Sequence, residues 1–231
     1  NVTYNKAVNL VGKGTDNTSA TYTMLTGNWN FSGIGNDYTV SNFRFDPASG
    51  SAVTITQSPI ASTLTFSNNY FEYMDAIKCI DITDNTISGI ITIDNNIFHK
   101  ISGTNDTGYG ITLPNNQVTG TVNISTNQFT SIADGVTGAP NYAINASNGR
   151  AIYVATKNSV GASTGNLNIN ANIFTLSGNS IMFYSGSGIN TYSTASFSIT
   201  GNDFSQRYPR NAVGGVAVSA NIIPYYGIYI D

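Results

Sequence analysis

The sequence predicts an all-β solenoid. One six-residue motif recurs, a second strand follows each copy, and helix signals are nearly absent. The motif reads Ile93-Asp94-Asn95-Asn96-Ile97-Phe98, with an earlier copy at Phe66-Ser67-Asn68-Asn69-Tyr70-Phe71. Three later copies are Ile124-Ser125-Thr126-Asn127-Gln128-Phe129, Ile169-Asn170-Ala171-Asn172-Ile173-Phe174 and Ile199-Thr200-Gly201-Asn202-Asp203-Phe204. A looser copy, Val40-Ser41-Asn42-Phe43-Arg44-Phe45, keeps the final Phe and carries its Asn one place early.

The anchoring Asn residues are separated by 27, 31, 45 and 30 positions. Periods of about 20 to 50 residues mark stacked repeats, but a propeller blade of four strands needs roughly 40. Three short strands and three turns fit the shorter steps. The 45-residue step then carries an inserted loop within 133–165, expected at 136–147 or 156–164.

Each copy is preceded by a strand of period two, apolar inward and small polar outward. These are Thr63-Leu64-Thr65-Phe66, Ile91-Thr92-Ile93, Val122-Asn123-Ile124, Leu167-Asn168-Ile169 and Phe197-Ser198-Ile199. Gly, Asn, Asp and Ser clusters supply the turns. After each Phe comes a second strand, as in Ala76-Ile77-Lys78-Cys79-Ile80, Gly110-Ile111-Thr112-Leu113, Ala151-Ile152-Tyr153-Val154, Ser180-Ile181-Met182-Phe183 and Gly227-Ile228-Tyr229-Ile230. Glu72 is the only Glu, so good helix formers are scarce. The expectation is one domain over 1–231, about seven coils, cut from a larger surface protein.

In stacked coils, equivalent residues sit about 4.8 Å apart. Ile93 and its equivalents become an aliphatic column, and Phe71, Phe98, Phe129, Phe174 and Phe204 an aromatic one. Asn69, Asn96, Asn127, Asn172 and Asn202 are expected at the corner, where Asn tolerates the left-handed region. Turned inward, their amides can form a ladder from coil to coil. The outward column Thr65, Thr92, Asn123, Asn168 and Ser198 is flanked by Ser67, Asp94, Ser125, Asn170 and Thr200.

Hydrophobic residues make up 40% of the 231, enough for a core, while charged residues make up only 9%. That is far below the usual figure of about 25%, so Asn, Thr, Ser and Gly carry solvation. Nine Lys and Arg are scattered singly in a chain of net charge −3. This argues against nucleic-acid and acidic-membrane partners, which need a basic patch. Cys79 permits no internal disulfide and lies on an apolar stretch, where an inert buried thiol is expected. No run approaches the roughly 18 apolar residues of a membrane helix. The opening at Asn1, without Met or a charged leader, reads as a mature or excised chain.

The repeated motif and the opening Asn1-Val2-Thr3-Tyr4-Asn5-Lys6-Ala7-Val8-Asn9-Leu10-Val11-Gly12-Lys13-Gly14 carry a resemblance. Together they are similar to the right-handed parallel β-helix of the pectate-lyase-like superfamily. The likeness covers nearly the whole chain and is least regular over 140–157. It implies architecture more than activity, because that superfamily spans lyases, hydrolases, esterases, phage tailspikes and non-catalytic adhesins.

Lyases of this kind use carboxylates that hold Ca²⁺ and a Lys or Arg that abstracts a proton; Ca²⁺ takes about six to eight oxygens. The densest acidic stretch is Glu72, Asp75, Asp81, Asp84 and Asp94, with Lys78 and Lys100 nearby. Coil alignment puts Glu72 beside His99 and Lys100 beside Tyr73. A lyase site would therefore draw on Glu72, Asp75, Lys78, His99 and Lys100, although solvated charges at a turn, which need no function, are the favoured reading. Inverting hydrolysis needs two carboxyls about 6.5–9.5 Å apart. His99 lacks flanking Gly, Arg150-Ala151-Ile152 lacks the following Lys, and Asp203 stands alone, so the hydrolase pattern is not met. One Cys and one His cannot build a zinc site. No cofactor is expected, with Ca²⁺ called for only by the lyase reading.

Binding suits this surface better. The outward columns make a flat polar face for a glycan chain, or for ice if Asn123 and Asn168 did not interrupt the Thr array. Ordinary strand residues would look the same. Tyr184, Tyr192, Tyr225 and Tyr226 crowd the final third, suited to stacking on sugars or to covering an open sheet end. The leading expectation is a secreted or cell-surface adhesin or polysaccharide-binding domain without catalysis. The alternatives are a polysaccharide lyase or glycoside hydrolase, and a phage tailspike fragment, which would be trimeric.

Overall fold

Strands of three to five residues bury nothing alone, so the alternating segments gain stability only by stacking on their own copies. The computed structural model describes residues 2–13, 23–33, 35–46, 50–74, 78–82, 86–103, 109–134, 150–156, 164–175, 179–184, 196–206 and 228–230. They form three parallel sheets, and each coil of the chain gives one strand to each sheet in turn.

Sheet one stacks Val2–Tyr4, Trp29–Phe31, Ser51–Ile55, Lys78–Ile82, Tyr109–Val118, Arg150–Thr156, Asn179–Tyr184 and Ile228–Ile230. The short strand Thr86–Ile87 joins it beside Tyr109–Val118. Sheet two stacks Val8–Val11, Tyr38–Ser41, Thr63–Ser67, Ile90–Asp94, Thr121–Ser125, Asn166–Asn170 and Ser196–Thr200. Sheet three stacks Thr23–Thr26, Phe43–Asp46, Tyr70–Met74, Ile97–Gly103, Gln128–Asp134, Ile173–Thr175 and Asp203–Gln206. Neighbouring strands pair in parallel, and no helix occurs among the described residues. The architecture is a β-solenoid, a parallel β-helix. Its regular heart is the four steps from Asn69 to Asn202.

Register fixes the core. Leu10, Val40, Phe66, Ile93, Ile124, Ile169 and Ile199 follow one another down sheet two. Phe66, Ile93, Ile124 and Ile169 are fully shielded from solvent. Each such side chain contributes about 1.5–3 kcal/mol by leaving water. On sheet three Phe45, Phe71, Phe98, Phe129, Phe174 and Phe204 stack face to face, their centroids 4.7, 4.9, 4.7, 5.0 and 5.0 Å apart. Their planes lie within 6° of parallel, so the rings repeat at the strand spacing.

The corner between sheets two and three holds the Asn ladder. Each ladder Asn presents Oδ1 to the backbone N–H and the Nδ2 of the Asn one coil before. Asn69 donates from N and Nδ2 to Asn96 Oδ1 at 2.9 and 3.1 Å, and Asn96 does the same to Asn127 at 2.9 and 3.0 Å. Asn127 on Asn172 and Asn172 on Asn202 continue it. The second Nδ2 proton goes backward to a carbonyl of sheet two: Val40, Phe66, Ile93, Ile124 and Ile169 in succession. The amides of Asn96, Asn127 and Asn172 are thus satisfied, and each ties three consecutive coils together.

The left-handed residue of this corner lies one place earlier than the sequence led us to expect. Positive φ falls on Asn42 (62°), Asn68 (55°), Asn95 (53°), Thr126 (53°), Ala171 (55°) and Gly201 (63°), not on the ladder Asn. The ladder Asn is selected for its buried amide, the preceding residue for the turn. This also explains the loose copy at 40–45. Asn42 is the corner residue in its proper place, and Phe43 fills the ladder position, giving its N–H to Asn69 Oδ1 at 3.1 Å. At the corner between sheets one and two, Gly89, Gly120 and Gly165 stack so closely that a Cβ would lie 2.1 Å from the carbonyl oxygen of Ser62, Gly89 or Gly120. No other residue fits there.

Asn96→Ala strands the Asn69 donors and the Phe66 carbonyl in the interior, so a loss of about 3 kcal/mol or more is expected in denaturant unfolding. Phe98→Ala should cost about 3–5 kcal/mol. Ala171→Gly should instead stabilise by about 0.5–1 kcal/mol, because relief of the left-handed strain exceeds the added chain entropy.

Candidate functional site

A chain that visits three faces per coil spreads residues that are close in sequence. The acidic stretch shows this. Glu72 lies on sheet three, Asp81 on sheet one and Asp94 on sheet two. Asp75 and Asp84 lie outside the described residues.

The residues considered for a lyase divide accordingly. Glu72 and His99 are register partners on sheet three, as the coil alignment anticipated, with Lys100 next in the chain. The side chains of Glu72 and Lys100 lie outside the described set. Lys78 belongs to sheet one, and its Nζ donates to both Asp81 oxygens at 3.0 and 2.9 Å. Thr112, only 1% exposed, gives its hydroxyl to Asp81 Oδ1 at 2.7 Å. Among the described residues, no group of three or more His, Cys, Asp or Glu is placed to hold a metal ion.

Sequence reasoning missed this Lys78–Asp81–Thr112 node. Residues three apart on a regular strand face opposite sides, yet here both neighbours between them are buried. Ala52-Val53 one coil earlier shows the same pair of adjacent buried residues. The break in alternation turns Lys78 and Asp81 to the same side. The small residues Ala52 and Cys79 at that position were the available signal.

Sheet two presents a different surface. Thr39, Thr65, Thr92, Asn123, Asn168 and Ser198 follow in strict register, as do Ser41, Ser67, Asp94, Ser125, Asn170 and Thr200. Inward residues hold these rows in place from behind. Asn168 Nδ2 donates to Asn123 Oδ1 at 2.9 Å, and Ser125 donates to Asp94 Oδ1 at 2.8 Å. Thr126 also gives its hydroxyl to Asp94. The hydroxyls of Ser198 and Thr200 converge on Asn170 Oδ1 at 3.4 and 2.9 Å. Among the described residues, none bonds the Thr65 or Thr92 hydroxyl. The face is a set of half-exposed, short polar groups with hydrogen-bonding capacity left for a ligand.

Of the tyrosines singled out, Tyr184 ends a strand of sheet one in register with Ala155. Tyr192, Tyr225 and Tyr226 lie outside the described residues, as does most of the inserted region, 135–149 and 157–163. Between those segments Arg150–Thr156 forms a strand of sheet one. No family model, no curated protein and no solved structure matches the chain.

Cys79 is wholly buried on sheet one, and burial pushes its thiol well above the usual range. The native protein should therefore resist thiol reagents and react only on unfolding, as a colorimetric thiol assay will show. The unfolded thiol ionises near pH 8.5 while the folded one stays neutral. This contribution is full below that pH. It falls as pH rises above it, by at most about 1.4 kcal/mol per pH unit. Denaturant midpoints at pH 7 and 9.5 should differ in wild type and converge in Cys79→Ala.

Proposed function

We propose that this chain is a polysaccharide-binding coil stack of a secreted or surface-displayed protein, acting by adhesion rather than catalysis. The observation that carries the reading is the in-register outer face of sheet two around Thr65, Thr92, Asn123 and Asn168. A polymer laid along the solenoid axis meets the same kind of group at each coil, about 4.8 Å apart. Short, β-favouring side chains lose little conformational freedom on contact, which suits repeated weak hydrogen bonds.

Membership of the pectate-lyase-like superfamily is part of this proposal, supported by the repeated Asn-x-Phe motif and the three-sheet coil. A second reading keeps catalysis, because Glu72 and His99 stand side by side on sheet three. Release of reducing or unsaturated ends from a polysaccharide panel would overturn the adhesive reading in its favour. A trimeric mass in solution would favour the tailspike reading.

Retention on insoluble glycans without turnover is the expected result of a pull-down assay. Thr92→Ala combined with Asn123→Ala should weaken that retention about tenfold or more, since two contacts of roughly 1 kcal/mol each are removed. The unfolding midpoint should stay close to wild type, because both side chains face out. Equal retention by the double variant counts against sheet two as the binding face.

A further inference from the structure

The seven strands of sheet two carry no Lys or Arg, and their single charged side chain is Asp94. It projects from the middle strand of the seven, between Ser67 and Ser125 in register. Its Oδ1 accepts the hydroxyls of Ser125, at 2.8 Å, and Thr126. Hydroxyl donors fix the orientation of the carboxylate without cancelling its charge. Among the described residues, no Lys or Arg pairs with it. A second carboxylate, Asp37, flanks the same face and takes the Thr63 N–H at 2.7 Å.

We propose that Asp94 sets the charge class of the ligand, so that the face accepts uncharged linear polysaccharide and refuses polyanionic glycans. The proposal rests on the glycan-binding reading of sheet two. A neutral chain loses nothing to the carboxylate and gains an acceptor for its hydroxyls. A polyuronate laid on the same row brings its own carboxylates within several ångströms of Asp94. Water and the protein surface screen that repulsion only in part, and at low salt it reaches beyond one coil. Asp37 adds to it at the leading edge.

The test uses the intact chain and Asp94→Asn, which retains an acceptor oxygen for Ser125 and Thr126. Both are passed over immobilised cellulose, xylan and mannan, and over polygalacturonate and alginate, at about 10 mM and 150 mM salt. Wild type should be retained by at least one neutral glycan and pass the polyuronates. Asp94→Asn should gain roughly three- to tenfold in polyuronate retention at low salt and less at high salt, raising the ratio of polyuronate to neutral retention above that of wild type. Unfolding midpoints within the error of wild type tie the gain to charge. Polyuronate retention by wild type equal to neutral retention, or no gain in Asp94→Asn, would overturn the filter and leave glycan binding standing. Passage of wild type through every column would overturn the binding reading itself.

Discussion

The rest of the structure hangs on the hydrogen bonding of one buried amide per coil. A solenoid must turn from sheet two to sheet three within two residues, and that leaves backbone groups without strand partners. Asn96 resolves this with a single side chain, whose Nδ2 serves Phe66 O and Asn127 Oδ1 while its own Oδ1 serves Asn69. A buried amide left half-satisfied would cost more than it contributes, so the ladder works only as a continuous row. Its unbroken run from Asn69 to Asn202 follows from that, and so does its register. A one-residue slip would expel the Asn and its Phe together.

Register then decides what the outside can be. Because Asn and Phe columns fix each strand relative to the next, outward residues separated by 27 to 45 positions in sequence become neighbours in space. The same geometry separates sequence neighbours. Glu72, Asp81 and Asp94 look like one acidic cluster on paper and occupy three different sheets. In a coiled chain, a site is assembled across repeats and not along them.

Legibility in the sequence follows from this division. The columns were readable because stacking forces chemically alike residues to recur, as with Phe98 and Asn96. The outer rows of sheet two were readable for the same reason, since period two inside a known register leaves no freedom. The position of the left-handed residue was not. Asn68-Asn69 and Asn95-Asn96 place two turn-compatible residues side by side, and only Thr126, Ala171 and Gly201, where the residue before the ladder Asn is not Asn, distinguish them. The Lys78–Asp81 pair was not legible either, because alternation fails where Cys79 and Ile80 are both buried. Their pairing with Thr112 depends on a neighbouring coil 31 residues on.

The interior and exterior therefore answer to different constraints. An inward position must satisfy the coil above and the coil below at once, which on sheets two and three is met chiefly by Asn, Phe and branched aliphatic residues. An outward position on sheet two must only favour an extended strand and stay solvated. Within that freedom, the seven strands carry mainly Thr, Ser and Asn outward, with exposed Val11 and Ile90, one half-exposed carboxylate and no cation. That combination, held at a fixed spacing from coil to coil, is what the proposed recognition of an uncharged polymer draws on.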